Sequence, residues 1–293
     1  MIPAQNIIAW GRSVPWAEQR QVEQDLIISR ALVELFNDPF LREQLRFRGG
    51  TALNKLHLPK PLRYSEDIDL VRTTSGPIGP VLDAVRSILQ PWLGQARFDQ
   101  SDVAPKLRFR VPAEDQSSPA PIRLKVEINT RETTAFDPPR MIAFAVENPW
   151  FSGKADIATF SDEELLATKL RALLQRDKGR DLIDLSHAKM TLEGLDVARV
   201  VACLRQYLDQ SNLAISRAQA EERMWAKLAN PAFMADVRPL LAADEAEGFD
   251  DVAAQAAFKS VFATFITRFP GERWARTKEM AEHHGMPNLA TTE

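Results

Sequence analysis

The sequence is short of cysteine, of long apolar runs and of net charge. One cysteine, Cys203, among 293 residues excludes an intrachain disulfide framework and any zinc site built from cysteines. Without an oxidising signature, the expected compartment is a reducing cytoplasm. No stretch approaches the ~20 apolar residues of a membrane span, so no membrane association is expected. The opening segment MIPAQNIIAWGRSVPWAEQR lacks a cationic stretch followed by an apolar core, so no secretory signal is expected. Net charge is −3, too small and of the wrong sign to draw in polyanions globally; any such contact must come from local basic clusters. The four histidines, His57, His187, His283 and His284, show no metal-ligand spacing, and His283-His284 reads as a solvated pair.

What remains is a chain of two characters. In the first half, Leu26, Ile28, Ala31, Leu32, Leu35 and Phe36 recur at near-helical spacing, so residues 20–46 read as helix interrupted at Pro39. Phe47-Arg48 is a short extended piece, and Thr51 is placed to cap a short helix over 51–57. A helix is expected near 78–90, and strands over 96–99, 105–111, 122–129 and 141–147, with a polar turn over 113–121. From residue 161 the pattern is helical: 161–175, 179–190, 195–209, 216–229, 232–242 and 250–268, ending in a frayed tail. The expected domains are therefore 1–158, mixed α and β, and 159–293, all helical.

The most informative feature is Asp67-Ile68-Asp69-Leu70-Val71. In a strand, Asp67 and Asp69 share one face and Ile68 and Leu70 the other. Two like charges on one face rarely serve a fold, but a divalent cation neutralises them. Glu127 lies on the polar face of the alternating segment Ile122–Asn129. If the two strands are neighbours, three carboxylates converge. Magnesium favours one or two carboxylates plus phosphate oxygens, and two such ions about 4 Å apart clamp an in-line displacement at phosphorus. Asp67 and Asp69 would hold the metals. Glu127 would share one or help to deprotonate an acceptor hydroxyl. The plainer alternatives are a solvated edge strand for the aspartates and, for Glu127, a surface residue paired with Arg123 or Lys125.

Upstream, Gly49-Gly50-Thr51 lies between a short strand and a short helix. Its amides, the helix N-terminus and the Thr51 hydroxyl suit a phosphate. It has neither the lysine of a Walker loop nor the third glycine of a dinucleotide fingerprint. Arg42, Arg46 and Arg48 read equally as an RNA path or a solvated face. Downstream, Lys169 and Arg176 flank the stripe Leu166, Leu170 and Leu173, and Gly179 suggests a tight joint before Asp181 and Asp184. One reading is a salt-bridged helix hairpin. In the other, Lys169 and Arg176 neutralise nucleotide phosphates, while Asp181 and Asp184 orient those bases or touch the nucleotide.

Two blocks together resemble the AbiEii-type nucleotidyltransferase toxins. The first is Gly49-Gly50-Thr51-Ala52-Leu53 followed by Arg63-x-Ser65-x-Asp67-x-Asp69-Leu70. The second is Glu164-Leu165-Leu166-x-x-Lys169 through Arg176-Asp177-x-x-Arg180-Asp181-x-x-Asp184. The resemblance implies an α+β protein: a minimal nucleotidyltransferase core of the DNA polymerase β type with a mixed sheet, followed by a helical domain. It implies transfer of a nucleoside monophosphate from an NTP to the 3′ end of tRNA, with Mg2+ and an antitoxin partner. It assigns Gly49, Gly50 and Ser65 to the phosphate turn, Asp67 and Asp69 to the metal, and Lys169, Asp181 and Asp184 to the second block. The rival expectations are the same chemistry on a small molecule or protein, and a decayed, non-enzymatic binding module.

Overall fold

The computed structural model describes residues 2–115 and 120–290, and the chain divides into two compact units, Met1–Ser161 and Asp162–Glu293. The middle of the expected polar turn, residues 116–119, and the last three residues lie outside the described part.

The first unit runs α1 (Ala4–Trp10), α2 (Gln19–Asn37), α3 (Pro39–Gln44), β1 (Leu45–Arg48), α4 (Gly49–Ala52), β2 (Asp67–Arg72), α5 (Gly79–Leu93), β3 (Arg97–Asp99), β4 (Lys106–Val111), β5 (Ile122–Asn129), β6 (Arg140–Asn148) and β7 (Phe151–Thr159). The strands form one mixed sheet of seven in the order β3-β4-β5-β2-β1-β7-β6. β2 is antiparallel to β1 and parallel to β5, and β1 is parallel to β7. Alternation places Phe47, Ile68, Leu70, Leu124, Val126, Leu107 and Phe109 in a buried layer. Each such side chain contributes roughly 1.5–3 kcal/mol on leaving water. α2 packs against β5, β6 and β7, and α5 against β4.

Several boundaries follow from local chemistry. The expected helix over 20–46 divides at Asp38, whose carboxylate accepts the Leu41 N–H (2.8 Å) to start α3 at Pro39. Thr51 does not cap a helix: α4 begins two residues earlier, and a π-helical turn, Leu53–His57, continues it. The middle of strand β7 is not strand-like, since Ser152, Gly153, Lys154, Ala155 and Asp156 are poor strand formers. It forms because it closes a hairpin with β6 and adds to β1.

The second unit contains α6 (Asp162–Gln175), α7 (Gly179–Thr191), α8 (Val197–Gln210), α9 (Arg217–Leu228), α10 (Ala243–Gly248), α11 (Asp251–Thr264) and α12 (Thr277–His283). Its core gathers Trp225 between Phe258 and Phe262, with centroids 5.3 and 5.2 Å away. Glu221 is fully buried and ties three segments together. It pairs with Arg217 (2.8 Å) and accepts from the Trp274 N–H (3.0 Å) and the Thr277 hydroxyl (2.5 Å). The helix expected over 232–242 is replaced by turns and a 3-10 turn, Arg238–Leu240. Pro231 and Pro239 each lack an N–H, and the Phe233 carbonyl is spent on Gly179 (2.8 Å). The tail is not frayed as far as Ala290: Pro287–Ala290 is a 3-10 turn with Leu289 buried. Of the histidine pair, His283 is exposed as expected, but His284 is half-buried and stacks on Trp225 at 13° with centroids 5.8 Å apart. Among the described residues, no helix is long and apolar enough to cross a membrane.

Candidate active site

The sheet register brings the sequence's carboxylates together. Asp67 lies beside Lys125, and Asp69 beside Glu127, across the parallel pair β2–β5. Arg48 lies opposite Asp69 on β1. Residues paired in register share a face, so Asp67, Asp69 and Glu127 stand on one side of adjacent central strands. Burial is the main reason that both aspartates are lifted above the usual carboxylate range. For Asp69, the charge on Asp67 adds to it. Lys125 opposes the shift at Asp67, with Nζ 3.0 Å from Asp67 Oδ2. The same ammonium is 3.0 Å from Glu127 Oε2, and Lys106 is 3.7 Å from that oxygen. Burial works against the charge on Lys125, but Asp67 and Asp69 outweigh it and raise its pKa.

The glycine turn is built around Asp69. Gly49 has φ +84°, and a Cβ there would lie 2.3 Å from Asp69 Oδ2. Only glycine satisfies both the backbone angle and the close approach of this carboxylate. A Cβ on Gly50 would lie 2.5 Å from Nη2 of buried Arg63. Thr51 is buried, and its hydroxyl hydrogen-bonds the Asp67 carbonyl (2.5 Å) and the Ser65 hydroxyl (2.8 Å). Thr51 thus stitches the start of β2 to α4. Asn54 completes the joint: its side-chain oxygen accepts the Leu62 and Arg63 N–H groups, and its amide donates to the Gly50 carbonyl. A π-helical turn at this point is the kind of irregularity that often accompanies a functional site.

A divalent ion suits part of this arrangement. Asp67 and Asp69 bear a desolvation and repulsion penalty that a cation relieves. Among the described residues, no group of three or more Asp, Glu, His or Cys side chains is gathered so as to hold a metal by itself. Two carboxylates with the remaining positions left to water and phosphate match the preference of magnesium.

The second block forms its own cluster within the helical unit. Lys169 on α6 is buried, with Nζ 3.2 Å from Asp181 Oδ1 and 2.9 Å from Asp184 Oδ2 on α7. Arg176 donates to both oxygens of Asp181 (2.7 and 2.9 Å) while half its side chain stays exposed. Burial would raise the Asp181 pKa, but Lys169 and Arg176 outweigh it and hold the carboxyl below its usual range. Gly179 makes the joint possible: a Cβ would lie 2.6 Å from the Phe233 carbonyl, and its N–H donates to that carbonyl and to Asp236.

A basic row crosses the same sheet face. In β4 and β5, Arg108 lies beside Lys125 and Arg110 beside Arg123; on β3, Arg97 lies beside Arg108. These arginines are exposed and share the face of Asp67 and Asp69. Asp99 pairs with Arg108 (2.5 Å) and Arg97 (3.3 Å), while Arg110 and Arg123 have no ion-pair partner among the described residues. The alternation Lys106-x-Arg108-x-Arg110 is the signal that would have found them. Arg46 and Arg48 are engaged instead: Arg48 pairs with Glu132 (2.5 Å), and Arg46 donates to the Thr133 carbonyl (3.3 Å).

A family model described as the nucleotidyl transferase AbiEii toxin of type IV toxin–antitoxin systems matches residues 30–271. The chain belongs to the AbiEii family. It is therefore a nucleotidyltransferase, the toxin of a type IV toxin–antitoxin system, with an NTP as substrate and an antitoxin as partner. Nucleotidyltransferases of this kind generally use divalent metal ions. Among solved structures, MenT4, a nucleotidyltransferase toxin from Mycobacterium tuberculosis, is similar over 100% of both chains, at 19% identity and a TM-score of 0.62. JHP933 from Helicobacter pylori is similar over 83% of this chain and 93% of its own, at 19% identity and a TM-score of 0.49. The first likeness bears out the mixed-sheet fold followed by helices. No curated protein matches the chain.

Proposed function

We propose that this AbiEii toxin transfers a nucleoside monophosphate from an NTP to the 3′ end of tRNA, with magnesium, in the cytoplasm. The observation that carries the reading is the shared face: Asp67 and Asp69 stand beside the Gly49-Gly50 turn, and the exposed Arg108, Arg110 and Arg123 continue that face across β4 and β5. Asp67 and Asp69 hold the metal. When bound, the ion neutralises charge on the triphosphate and on the departing pyrophosphate. The turn lets Asp69 lie against the backbone and offers amides to phosphate oxygens. The acceptor hydroxyl gives up its proton to solvent and attacks the α-phosphorus, the α–β phosphoanhydride bond breaks, and pyrophosphate leaves. The arginine row holds the acceptor backbone by charge, which positions it without reading sequence. Lys169, Arg176, Asp181 and Asp184 take the nucleotide-handling role of the family's second block, and half-exposed Arg176 is the member able to meet a phosphate.

The test is to incubate the protein with Mg2+, total tRNA and each α-labelled NTP in turn. Label at the tRNA 3′ end is expected. Label confined to a protein or a small molecule would reassign the acceptor. No metal-dependent NTP consumption with any of the four would leave a binding module.

A further inference from the structure

We propose that Lys125 is a tethered cation standing where a second divalent ion would otherwise sit, so that the site takes a single metal. The inference rests on Asp67 and Asp69 being metal ligands. Lys125 projects from β5 between two carboxylates, with Nζ 3.0 Å from both Asp67 Oδ2 and Glu127 Oε2. Its side chain is only 21% exposed, so the ammonium is held inside the cluster and not trailed into solvent. Glu127, the carboxylate a second ion would require, is already met by Lys125 and by Lys106 at 3.7 Å. A divalent ion bridging Asp67 and Glu127 would have to displace a like-charged group anchored by the strand. Asp69 is different: no lysine or arginine forms an ion pair with it among the described residues, and it lies against the glycine turn. One metal at the Asp69 side and one fixed ammonium at the Glu127 side give the cluster two cations from a single ion. Lysine suits that role as a compact point charge with three donors, two of them engaged here. The third is free to meet a phosphate oxygen. Glu127 then serves as the anchor of Lys125 and not as a metal ligand.

The experiment counts metal ions. The full chain is titrated with Mn2+ alone, and free Mn2+ is followed by electron paramagnetic resonance, for wild type, Asp69→Asn, Lys125→Gln and Glu127→Gln. Wild type is expected to bind one equivalent, which Asp69→Asn abolishes. Lys125→Gln is expected to gain a second. A wild type that binds two, or a Lys125→Gln protein that stays at one, overturns the proposal while leaving the Asp67/Asp69 reading intact. Absence of any binding sensitive to Asp69→Asn would remove both. Should Lys125→Gln fail to fold, Glu127→Gln decides. Wild-type affinity within about twofold supports the anchor role, and a loss of tenfold or more makes Glu127 a ligand and overturns it.

Discussion

At the scale of the residue, Asp69 is held against its own interest. Burial and the neighbouring Asp67 charge raise its pKa against the pull of Lys125 and Arg48, since Lys125 is bound to Asp67 and Glu127 and Arg48 to Glu132. A carboxyl whose folded pKa lies above its unfolded value of 3.8 favours the folded state while protonated, and that advantage is lost as pH rises through the folded value. Asp69→Asn should therefore raise the melting temperature of metal-free protein at neutral pH by about 2–4 °C. The gain should shrink as the pH falls toward 4 and wild-type Asp69 protonates. Thermal melts at three pH values check this. Equal melting temperatures at neutral pH would mean that the site carries no stored repulsion. Asp181 has the opposite sign. Its folded pKa is lowered by Lys169 and Arg176, so its contribution is present above the ordinary carboxylate pKa and disappears as pH drops through the folded value. Asp181→Asn leaves buried Lys169 short of a partner and should cost about 3 kcal/mol at pH 7 in denaturant unfolding, with little cost in acid.

At the scale of the element, the strand pair β4–β5 does what a linear reading could only half see. Arg110 and Arg123 are far apart in the chain and become neighbours only through antiparallel register. Arg110→Ala with Arg123→Ala should weaken tRNA binding by about tenfold at low salt and flatten its dependence on log salt by one to two units. Binding measured at several salt concentrations decides between this and a passive surface. An unchanged slope would place the acceptor elsewhere. The elements that were legible in the sequence are those whose pattern is self-sufficient. The Ile122–Asn129 alternation, the Asp67–Arg72 strand and the joint at Gly179 each follow from side-chain periodicity or one backbone requirement. β7 was not legible, because Gly153, Ala155 and Asp156 are strand residues only by virtue of what β6 and β1 offer them. The segment 232–242 misled in the other direction: its apolar spacing suits a helix, but Pro231 and Pro239 and the tie to Gly179 forbid one.

At the scale of the whole molecule, membership of the AbiEii family makes the chain a nucleotidyltransferase toxin with an antitoxin partner. A net charge of −3 gives no global pull on RNA, so the proposed acceptor would be held by the local row of Arg108, Arg110 and Arg123 on one sheet face. In the sequence, the paired aspartates and the glycine turn were visible, since strand alternation alone aligns Asp67 with Asp69. The cation among them was half visible: a pairing of Glu127 with Arg123 or Lys125 was expected and Lys125 makes it, but nothing in the order Arg123-Leu124-Lys125 says that the ammonium will also reach Asp67. The central claim is that the chemistry occurs at Asp67 and Asp69. The most direct measurement is the initial rate of pyrophosphate release with tRNA and the preferred NTP, for wild type against Asp67→Asn and Asp69→Asn. A fall of at least about 10³-fold in each variant is expected, equivalent to losing about 4 kcal/mol of transition-state stabilisation. Either variant releasing pyrophosphate at the wild-type rate while remaining folded would contradict it.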